Sequence, residues 1–342
     1  MKKVIVTGVT GQDGSLMADY LLNNVPDIMI YGGIRRLSVP NHKNINHLIH
    51  NNRFSLLELD VTDSENVKNV ISEIKPDYYV NFAANSFVGN SWRMPVNHFN
   101  TNCMAVLYAL ESIKNFSKET KFYNAGSSEQ FGDVEYYPQD IKHPFKPRSP
   151  YGASKCAAHH LVKVYRESFN LFAVQGILFN HEGKRRGEEF VTRKITKKIA
   201  QIKKSIEQGK QFSPLELGNI YSRRDWSDAE DFIEGVWKMI NQEYPKDYVL
   251  ASGETHTIKE FINYCLDIAG INGSWVGEGL NEQFISDKTE TIIKINKEFY
   301  RPAEVDLLLG DSTLARQELN WEPKINFQEL VKKMFESDYN SV

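Results

Sequence analysis

Tyr151 and Lys155 are the residues of this 342-residue chain whose types and spacing most directly suggest chemistry. They lie in the segment SPYGASK, residues 149–155, where Pro150 favours the first turn of a helix. Residues four apart share one helix face, so the phenol and the ammonium can point into the same space. A nearby cation lowers a tyrosine pKa and makes the phenolate a usable general base. The alternative is a solvated pair on a surface helix, and a cofactor site in front of the pair would favour the catalytic interpretation.

A glycine-rich turn at the start of the chain predicts such a site. The apolar run 4–7 indicates a buried strand, the segment GVTGQDG follows at 8–14, and 15–22 has the pattern of an amphipathic helix. Glycines at a strand-to-helix turn let the backbone approach a pyrophosphate at the helix N-terminus. The spacing is G-x-x-G-x-x-G rather than the commoner G-x-G-x-x-G. A tight turn without a ligand is the alternative, but the order of strand, glycines and helix favours a dinucleotide.

Two arginines indicate which dinucleotide is bound. Arg35 and Arg36 follow the apolar run 28–33, about 20 residues beyond Gly14, where a carboxylate would bind the ribose of NAD or an arginine the extra phosphate of NADP. We therefore predict NADP.

The rest of the first half alternates strand and helix patterns. Further strands are predicted at 55–59, 78–82, 122–125 and 171–179, and helices at 64–74, 97–113 and 151–169. This alternation predicts an α/β fold with a doubly wound parallel sheet, a Rossmann domain over 1–180. Ligands then bind outside the carboxyl ends of the strands, where Gly8, Ala84, Ser127 and Asn180 fall. Asp60 and Val61 end the third strand and could contact an adenine edge. A helix cap in the turn 60–63 is the other interpretation, and the two roles could coexist.

The pattern changes after Asn180. A charged, glycine-broken stretch at 182–189 precedes a long helix at about 191–207, and arginines recur at 223–224 and 301. We predict a smaller, mostly helical substrate domain over 181–342, partly interleaved with the first. Arginines suit a diphosphate because they make bidentate charged hydrogen bonds.

Composition narrows the class of protein. A net charge of −3 gives no reason to expect nucleic-acid binding, and a hydrophobic content of 41% is ordinary for a globular chain. No apolar run approaches the roughly 20 residues of a membrane span, and the N-terminal apolar run is too short for a signal peptide. The three separated cysteines have no metal-like spacing and suit a reducing compartment. We expect a cytoplasmic protein without a metal site.

Several longer motifs together carry a family resemblance. They are TGVTGQDG at 7–14, GSSEQFG at 126–132, FNHE at 179–182, RRGEEFVTRKI at 185–195, RDW at 224–226 and YRPAEVD at 300–306. With them the chain resembles the extended short-chain dehydrogenase/reductase family and, within it, the GDP-mannose 4,6-dehydratases. The likeness covers nearly the whole sequence.

The resemblance implies catalytic roles for four residues. Tyr151 would be the base at the sugar 4-hydroxyl, with Lys155 lowering its pKa and holding the nicotinamide ribose. Glu129 would take the C5 proton, and Ser127, where the family usually has threonine, would hydrogen-bond the 4-oxygen. The reaction would move a hydride from C4 to C6 by way of NADP and release water.

The predicted binding residues fall into two sets. Those expected to contact the cofactor are Gly8, Thr10, Gly11, Gln12, Asp13, Gly14, Arg35, Arg36, Asp60, Val61, Phe82, Ala83, Ala84, Ser86, Asn97, Tyr151, Lys155, His181 and Arg186. Those expected to contact the GDP-linked sugar are Ser86, Ser127, Glu129, Asn180, Arg186, Val191, Lys194, Arg224, Arg301 and Glu304.

The sugar, the reaction type and the assembly state have alternatives. Asn85 and Phe87 stand where the hexose enzymes usually have glutamine and histidine, so a GDP-linked manno-heptose is a second candidate substrate. A nucleotide-sugar 4-epimerase, a reductase that releases its cofactor, and a non-catalytic NADP-binding regulator are competing functions. An epimerase has no use for a base at C5, and a regulator could dispense with Tyr151, Lys155 and Glu129. The family resemblance also implies a homo-oligomer, a dimer or a tetramer, although the segment 37–46 diverges.

Overall fold

The structure is a computed structural model that describes residues 1–300, 305 and 307–342. Its strands are β1 (Lys2–Thr7), β2 (Ile28–Ile34), β3 (Phe54–Glu58), β4 (Tyr78–Asn81), β5 (Lys121–Ala125), β6 (Ala173–Leu178), β7 (Asn180–Glu182), β8 (Leu215–Leu217), β9 (Arg223–Arg224), β10 (Trp226–Asp228), β11 (Tyr248–Leu250), β12 (His256–Thr257), β13 (Gly273–Val276), β14 (Gln283–Ser286) and β15 (Thr291–Ile295). Its α-helices are α1 (Gln12–Asn24), α2 (Ser64–Ile74), α3 (Pro95–Phe99), α4 (Ala105–Phe116), α5 (Pro150–Phe169), α6 (Val191–Glu207), α7 (Ala229–Ile240), α8 (Ile258–Ala269), α9 (Thr313–Leu319) and α10 (Phe327–Ser341).

Six strands of the first half, together with β11, form a central seven-stranded parallel sheet. Its strand order is β11-β6-β5-β4-β1-β2-β3, and every neighbouring pair is parallel. The order reverses direction at β1, which places the turn after β1 at a topological switch point. The predicted α/β fold with a doubly wound parallel sheet is therefore confirmed.

Successive side chains of each strand point to opposite faces of the sheet, and a layer of helices packs on each face. Val4 and Val6 of β1 lie in one buried cluster with α1 and α7, whereas Ile5 lies in the other with α2, α4 and α5. A strand buried on both faces has no polar side, which explains the continuous apolar run of β1. Burying each of these side chains contributes about 1.5–3 kcal/mol.

A second core lies in the other half of the chain. Helices α6, α8 and α10 pack with a four-stranded sheet of order β13-β14-β15-β8. The sequence did not predict this sheet, because its strands are three to five residues long and interrupted by polar residues. The strand β11 was also missed, and it extends the central sheet from the second half of the chain.

The helix predicted at 97–113 is interrupted in the structure by a π-helical segment. It begins at Pro95 and runs through a π-helical segment, Asn100–Met104, into α4. The side chain of Asn102 in that segment accepts a hydrogen bond from the Asn85 amide at 2.8 Å and donates to the Asn85 carbonyl at 3.2 Å. The π-helical segment thereby fixes the loop after β4.

Candidate active site

A cavity of about 1510 Å³ runs along the carboxyl ends of the strands and is lined by residues from both halves of the chain. It contains every predicted site residue that the structure describes: Gly8, Thr10, Gly11, Gln12, Asp13, Gly14, Arg35, Arg36, Asp60, Val61, Phe82, Ala83, Ala84, Ser86, Asn97, Ser127, Glu129, Tyr151, Lys155, Asn180, His181, Arg186, Val191, Lys194 and Arg224. The predicted substrate residues Arg301 and Glu304 lie outside the described residues.

The glycine turn has the form of a phosphate cradle. Gly8 adopts a φ of +65°, and a Cβ there would lie 2.9 Å from the Ala83 amide nitrogen, so the turn requires glycine. Helix α1 begins with Gly11 at its N-cap, and no side chain caps it. Its first amide groups and the positive end of its dipole therefore face the cavity. The Oε1 atom of Gln12 is buried and has no hydrogen-bond partner within the described residues. The glycine turn and the uncapped helix N-terminus fit a dinucleotide pyrophosphate, whereas the Gln12 oxygen can only accept a hydrogen bond from a ligand donor.

Asp13 and His181 form an ion pair at this end of the cavity. Nε2 of His181 lies 3.0 Å from the Asp13 carboxylate, and its Nδ1 lies 2.8 Å from the Phe179 carbonyl. Burial would raise the pKa of Asp13, but the charge and hydrogen bond of His181 outweigh it and lower the pKa to about 2. Burial alone would lower the pKa of His181, and the charge of Asp13 outweighs this effect and raises it.

Arg35 and Arg36 follow directly from β2 and are exposed at the cavity rim. Neither makes a hydrogen bond or salt bridge to a described residue. Near them, Asp60 accepts hydrogen bonds from the amide and hydroxyl of Thr62, at 2.9 and 2.7 Å. The cap of α2 is Asp63, not Asp60. Asp60 thus shapes the loop at the cavity wall.

The N-termini of two helical segments bring the predicted catalytic side chains together. Ser127 caps the short 3₁₀ turn Ser128–Gln130 that follows β5, and Ser149 caps α5 by accepting a hydrogen bond from Gly152 at 3.0 Å. A Cβ on Gly152 would lie 2.6 Å from the Glu129 carbonyl oxygen. Glycine at this position therefore lets α5 approach the turn, which sets Tyr151 beside Ser127 and Glu129.

The electrostatic state of Tyr151 differs from the sequence prediction. Burial raises its pKa to about 12, while a hydrogen bond with Ser127 acts in the opposite direction. The predicted lowering by Lys155 is absent from the structure. Nζ of Lys155 lies 5.9 Å from the centre of the Tyr151 ring and donates to the Ala125 carbonyl at 2.8 Å. Burial lowers the pKa of Lys155 to about 8, so its positive charge is itself disfavoured.

Glu129 differs from Asp13, another acidic residue of the cavity. Its carboxylate makes no hydrogen bond or salt bridge to another residue in the described parts of the chain. It does not cap the turn, since Ser127 and Gln130 form the capping box. Its charge acts on Tyr151 and raises the pKa of the phenol. Glu129 is therefore placed to accept a proton from a molecule in the cavity.

Two cationic side chains, each packed on an aromatic ring, line the side of the cavity formed by the second half of the chain; we call them the stacked cations. The guanidinium of Arg186 lies 3.6 Å from the centre of the Phe190 ring, and its Nε lies 3.0 Å from the Glu182 carboxylate. Nζ of Lys194 lies 3.7 Å from the centre of the Phe299 ring. These arrangements fix positive charge at the wall by cation–π contact and ion pairing.

The other predicted substrate residues lie on adjoining elements. Asn180 begins β7 and pairs in register with Trp226 of β10, and Val191 is the first residue of α6. Arg224 is buried and donates to the Arg223 and Val305 carbonyls, at 2.9 and 2.6 Å. Arg224 thus also holds the backbone at Val305.

Several cavity residues were not predicted. They include Trp92, Arg93, Thr101, Arg185, Phe190, Asn219, Phe299 and Tyr300. Phe190 and Arg185 belong to a motif quoted from the sequence and could have been included. Trp92, Arg93 and Asn219 lie in loops without a recognisable local pattern, and only the fold brings them to the cavity.

Among residues 1–300, 305 and 307–342, no cluster of three or more His, Cys, Asp or Glu side chains could hold a metal ion. None of the helices in that part of the chain is long and apolar enough to cross a membrane.

Comparisons with known proteins show the family of this chain. The family model for GDP-mannose 4,6 dehydratase matches residues 5–334. The chain belongs to this family. A GDP-mannose 4,6 dehydratase from Drosophila melanogaster is 40% identical over 346 residues, which cover 98% of this chain and 86% of the relative. The predicted family and the predicted lyase class of enzyme are thereby confirmed.

Solved structures show how widely the fold is shared. A dTDP-glucose 4,6-dehydratase from Bacillus anthracis in complex with NAD has a TM-score of 0.81 at 18% identity, covering 100% of this chain and 97% of the other. The RMD protein from Pseudomonas aeruginosa complexed with NADPH has a TM-score of 0.76 at 22% identity, covering 100% of both chains. At these identities the likeness concerns the fold alone.

Proposed function

We propose that this chain converts a GDP-linked manno-configured sugar, GDP-mannose in the first place, to its 4-keto-6-deoxy derivative. The observation that carries the proposal is the Glu129 carboxylate, which has no ion-pair partner among the described residues and shares the cavity with Tyr151 and Ser127. A 4-epimerase or a reductase of the same fold needs the tyrosine but has no use for this base.

The proposed mechanism assigns one proton to each of two residues. Tyr151 can take the proton of the 4-hydroxyl, because a bound oxidised nicotinamide would add positive charge near Tyr151 and offset the burial that raises its pKa. Ser127 hydrogen-bonds the 4-oxygen. The 4-ketone acidifies C5–H, so Glu129 can remove that proton. The C6 hydroxyl then leaves with a proton as water, and a proton returns to C5.

A nicotinamide cofactor completes the balance of electrons. The cradle that fits it consists of the glycine turn, the uncapped N-terminus of α1 and the Ala83 backbone, with Lys155 near the Tyr151 ring. When bound, it supplies a store for the hydride that leaves C4 and returns to C6. We infer that it is NADP because Arg35 and Arg36 stand at the cavity rim without a described partner.

The nucleotide part of the substrate would lie along the stacked cations. Arg186 and Lys194 are held at the wall by Phe190 and Phe299 and can donate charged hydrogen bonds to a diphosphate or a ribose. Asn180, Val191 and Arg224 adjoin them in the same cavity. Arg301 and Glu304, predicted from the sequence, complete the proposed set.

A GDP-linked manno-heptose is a second candidate substrate. Phe87 lines the cavity and meets Phe190 edge-on at 5.9 Å, so an apolar ring stands in the wall that holds Arg186. The sequence resemblance gave histidine as the usual residue at this position. A phenylalanine in place of that histidine would make this part of the cavity wall apolar, which is the reason to test the heptose as a substrate.

Three broader proposals concern organisation. We infer a Rossmann domain over 1–180 and a substrate domain over 181–342, interleaved through β11.

We infer a homo-oligomer, dimer or tetramer, because Val96, Phe99 and Val164 on the adjacent helices α3 and α5 expose apolar side chains. We place the chain in the cytoplasm, because its three cysteines are unpaired.

The test of the function is incubation with NADP and either GDP-mannose or the GDP-manno-heptose, with products read by mass. Loss of one water from either sugar supports the dehydratase. Turnover of GDP-mannose alone rules out the heptose as a substrate. A change of C4 configuration without loss of water would favour the epimerase.

A further inference from the structure

A row of buried side-chain amides crosses the central sheet beneath the cavity. We call Asn81, Asn124, Gln175 and Gln130 the amide row; all four are 5% exposed or less. Nδ2 of Asn81 donates to Asn124 at 2.9 Å, and Nδ2 of Asn124 donates to Gln175 at 2.7 Å. Nε2 of Gln175 then donates to Oε1 of Gln130 at 3.1 Å. The donors all point the same way, so the bonds form one directional chain.

Strand register explains why the row exists. Asn81 pairs with Asn124, and Asn124 pairs with Gln175, across the neighbouring parallel strands β4, β5 and β6. Residues in register on adjacent strands point to the same face of a sheet. In the sequence each amide is an isolated polar residue in an apolar strand. Only the pairing register of the strands brings the amides side by side.

Both ends of the row reach backbone that lines the cavity. At one end the Thr7 hydroxyl donates to Asn81 at 2.6 Å and accepts from the Ala83 amide at 3.1 Å, beside the glycine turn. At the other end Oε1 of Gln130 accepts the amide of Ser127 at 2.9 Å. The row therefore joins the cofactor cradle to the turn that presents Ser127 and Glu129.

We propose that the amide row is a positioning device that holds the turn 127–130, and with it the Glu129 carboxylate, at the distance from the bound sugar that C5 deprotonation requires. This inference rests on the proposed dehydratase function. The bonds lie in a dry interior, where neighbouring hydrogen bonds polarise one another and an unsatisfied partner is costly. The turn follows β5 directly, so the row fixes it against the strand ends rather than through the exposed loop beyond it.

Gln130 is the residue on which the test depends, because it links the row to the turn. Its Oε1 accepts from both Gln175 and Ser127, while its Nε2 has no partner within the described residues. Gln130→Met keeps the length of the side chain and removes the acceptor. Gln130→Glu keeps an oxygen acceptor in the same place.

The chain offers a matched control. Gln139 is also fully buried, its Oε1 accepts the Leu309 amide at 2.9 Å, and its Nε2 has no partner within the described residues. It does not line the cavity. Gln139→Met therefore removes the same kind of bond elsewhere in the fold and reports the general cost of losing a buried acceptor.

The experiment measures turnover of GDP-mannose, deuterium exchange at C5 in heavy water and the melting temperature for the wild type and the three variants. We expect Gln130→Met to lower kcat and C5 exchange about 10- to 100-fold, as a displaced catalytic group does, with KM within about threefold of the wild type. Gln130→Glu should restore most of this loss. Gln139→Met should lower the melting temperature comparably and leave C5 exchange near the wild-type rate.

Two outcomes separate the inference from the function on which it rests. A wild type that dehydrates GDP-mannose, beside a Gln130→Met that matches Gln139→Met in C5 exchange, overturns the inference alone. A wild type that releases no water from GDP-mannose or from the GDP-manno-heptose overturns the proposed function, and the claim about C5 with it. If Gln130→Met does not fold, Gln175→Met, which removes the donor to Gln130, decides the question by the same readouts.

Discussion

The two ends of the cavity treat ionisable groups in opposite ways. At the cofactor end, Asp13 and His181 neutralise each other at 3.0 Å, and the pKa of Asp13 falls to about 2. At the other end, burial raises the pKa of Tyr151 to about 12 and lowers that of Lys155 to about 8, and the Glu129 carboxylate has no ion pair among the described residues. Groups with satisfied charges hold structure and ligand, whereas groups with unbalanced charges can exchange protons during a reaction. The charge of Asp13 also acts on Tyr151 and Lys155, but changes at the two ends should affect different measurements most strongly.

Tyr151→Phe should produce the largest effect. Removing the phenol removes the proposed base of the first step, so kcat should fall about 100- to 10,000-fold. No reduced cofactor should appear in a single turnover monitored by NADPH absorbance. Tyr244→Phe, a change at an exposed tyrosine outside the cavity, is the control and should leave kcat unchanged. Normal cofactor reduction in Tyr151→Phe would assign the base to another residue.

Arg35→Ala combined with Arg36→Ala should affect binding instead. Charged hydrogen bonds contribute about 1.5–3 kcal/mol each, so NADP affinity should fall at least about 10-fold. NAD affinity, measured on the same protein by the same titration, is the internal control and should change little. Equal losses for both cofactors would contradict the predicted preference for NADP.

Asp13→Asn should show that the cofactor end is also structural. The change leaves His181 without its counter-charge and should lower the free energy of unfolding by about 1–3 kcal/mol. Glu129→Gln, at the other end, should change it by less than about 0.5 kcal/mol, because no described partner is lost. Denaturant titration of both variants measures their free energies of unfolding. Equal values would contradict the expectation that Asp13 stabilises the fold and Glu129 does not.

The contribution of the Asp13–His181 pair should depend on pH. The lowered pKa of Asp13 gives stability that is present above the ordinary value of 3.8 and lost as the pH falls toward 2. The raised pKa of His181 gives stability that is complete below the ordinary value of 6.5 and lost as the pH rises through the raised value. The melting-temperature difference between wild type and Asp13→Asn should thus be greatest between these two ordinary values. A difference that grows at alkaline pH would contradict this assignment.

Much of the fold could be predicted because the first half has strong local patterns. Strands β1 to β6 were predicted with bounds within two residues of the structure, and α6 with the observed bounds. Strand β11 is three residues long, and its place in the sheet depends on pairing with β6, a contact that no local pattern encodes. The sheet of the second half was missed for the same reason.

The site residues also divide into those that a local sequence motif reveals and those that only the fold brings together. Motif residues such as Gly8, Glu129 and Arg186 could be found because each sits in a recognisable segment, and the fold brings them to one cavity. The pKa of Tyr151 was predicted in the wrong direction, since burial has no local signature. The amide row was not foreseen either, because its bonds follow from strand register.

We propose that Glu129 removes the C5 proton after the 4-ketone has formed. The most direct test mixes Glu129→Gln with NADP and GDP-mannose in heavy water and follows NADPH absorbance, C5 exchange and product mass, with Glu167→Gln on the exposed face of α5 as the control. We predict that bound NADP is still reduced, while C5 exchange and water loss fall about 100- to 10,000-fold. Dehydration by Glu129→Gln at the rate of the wild type and of the control would contradict this account.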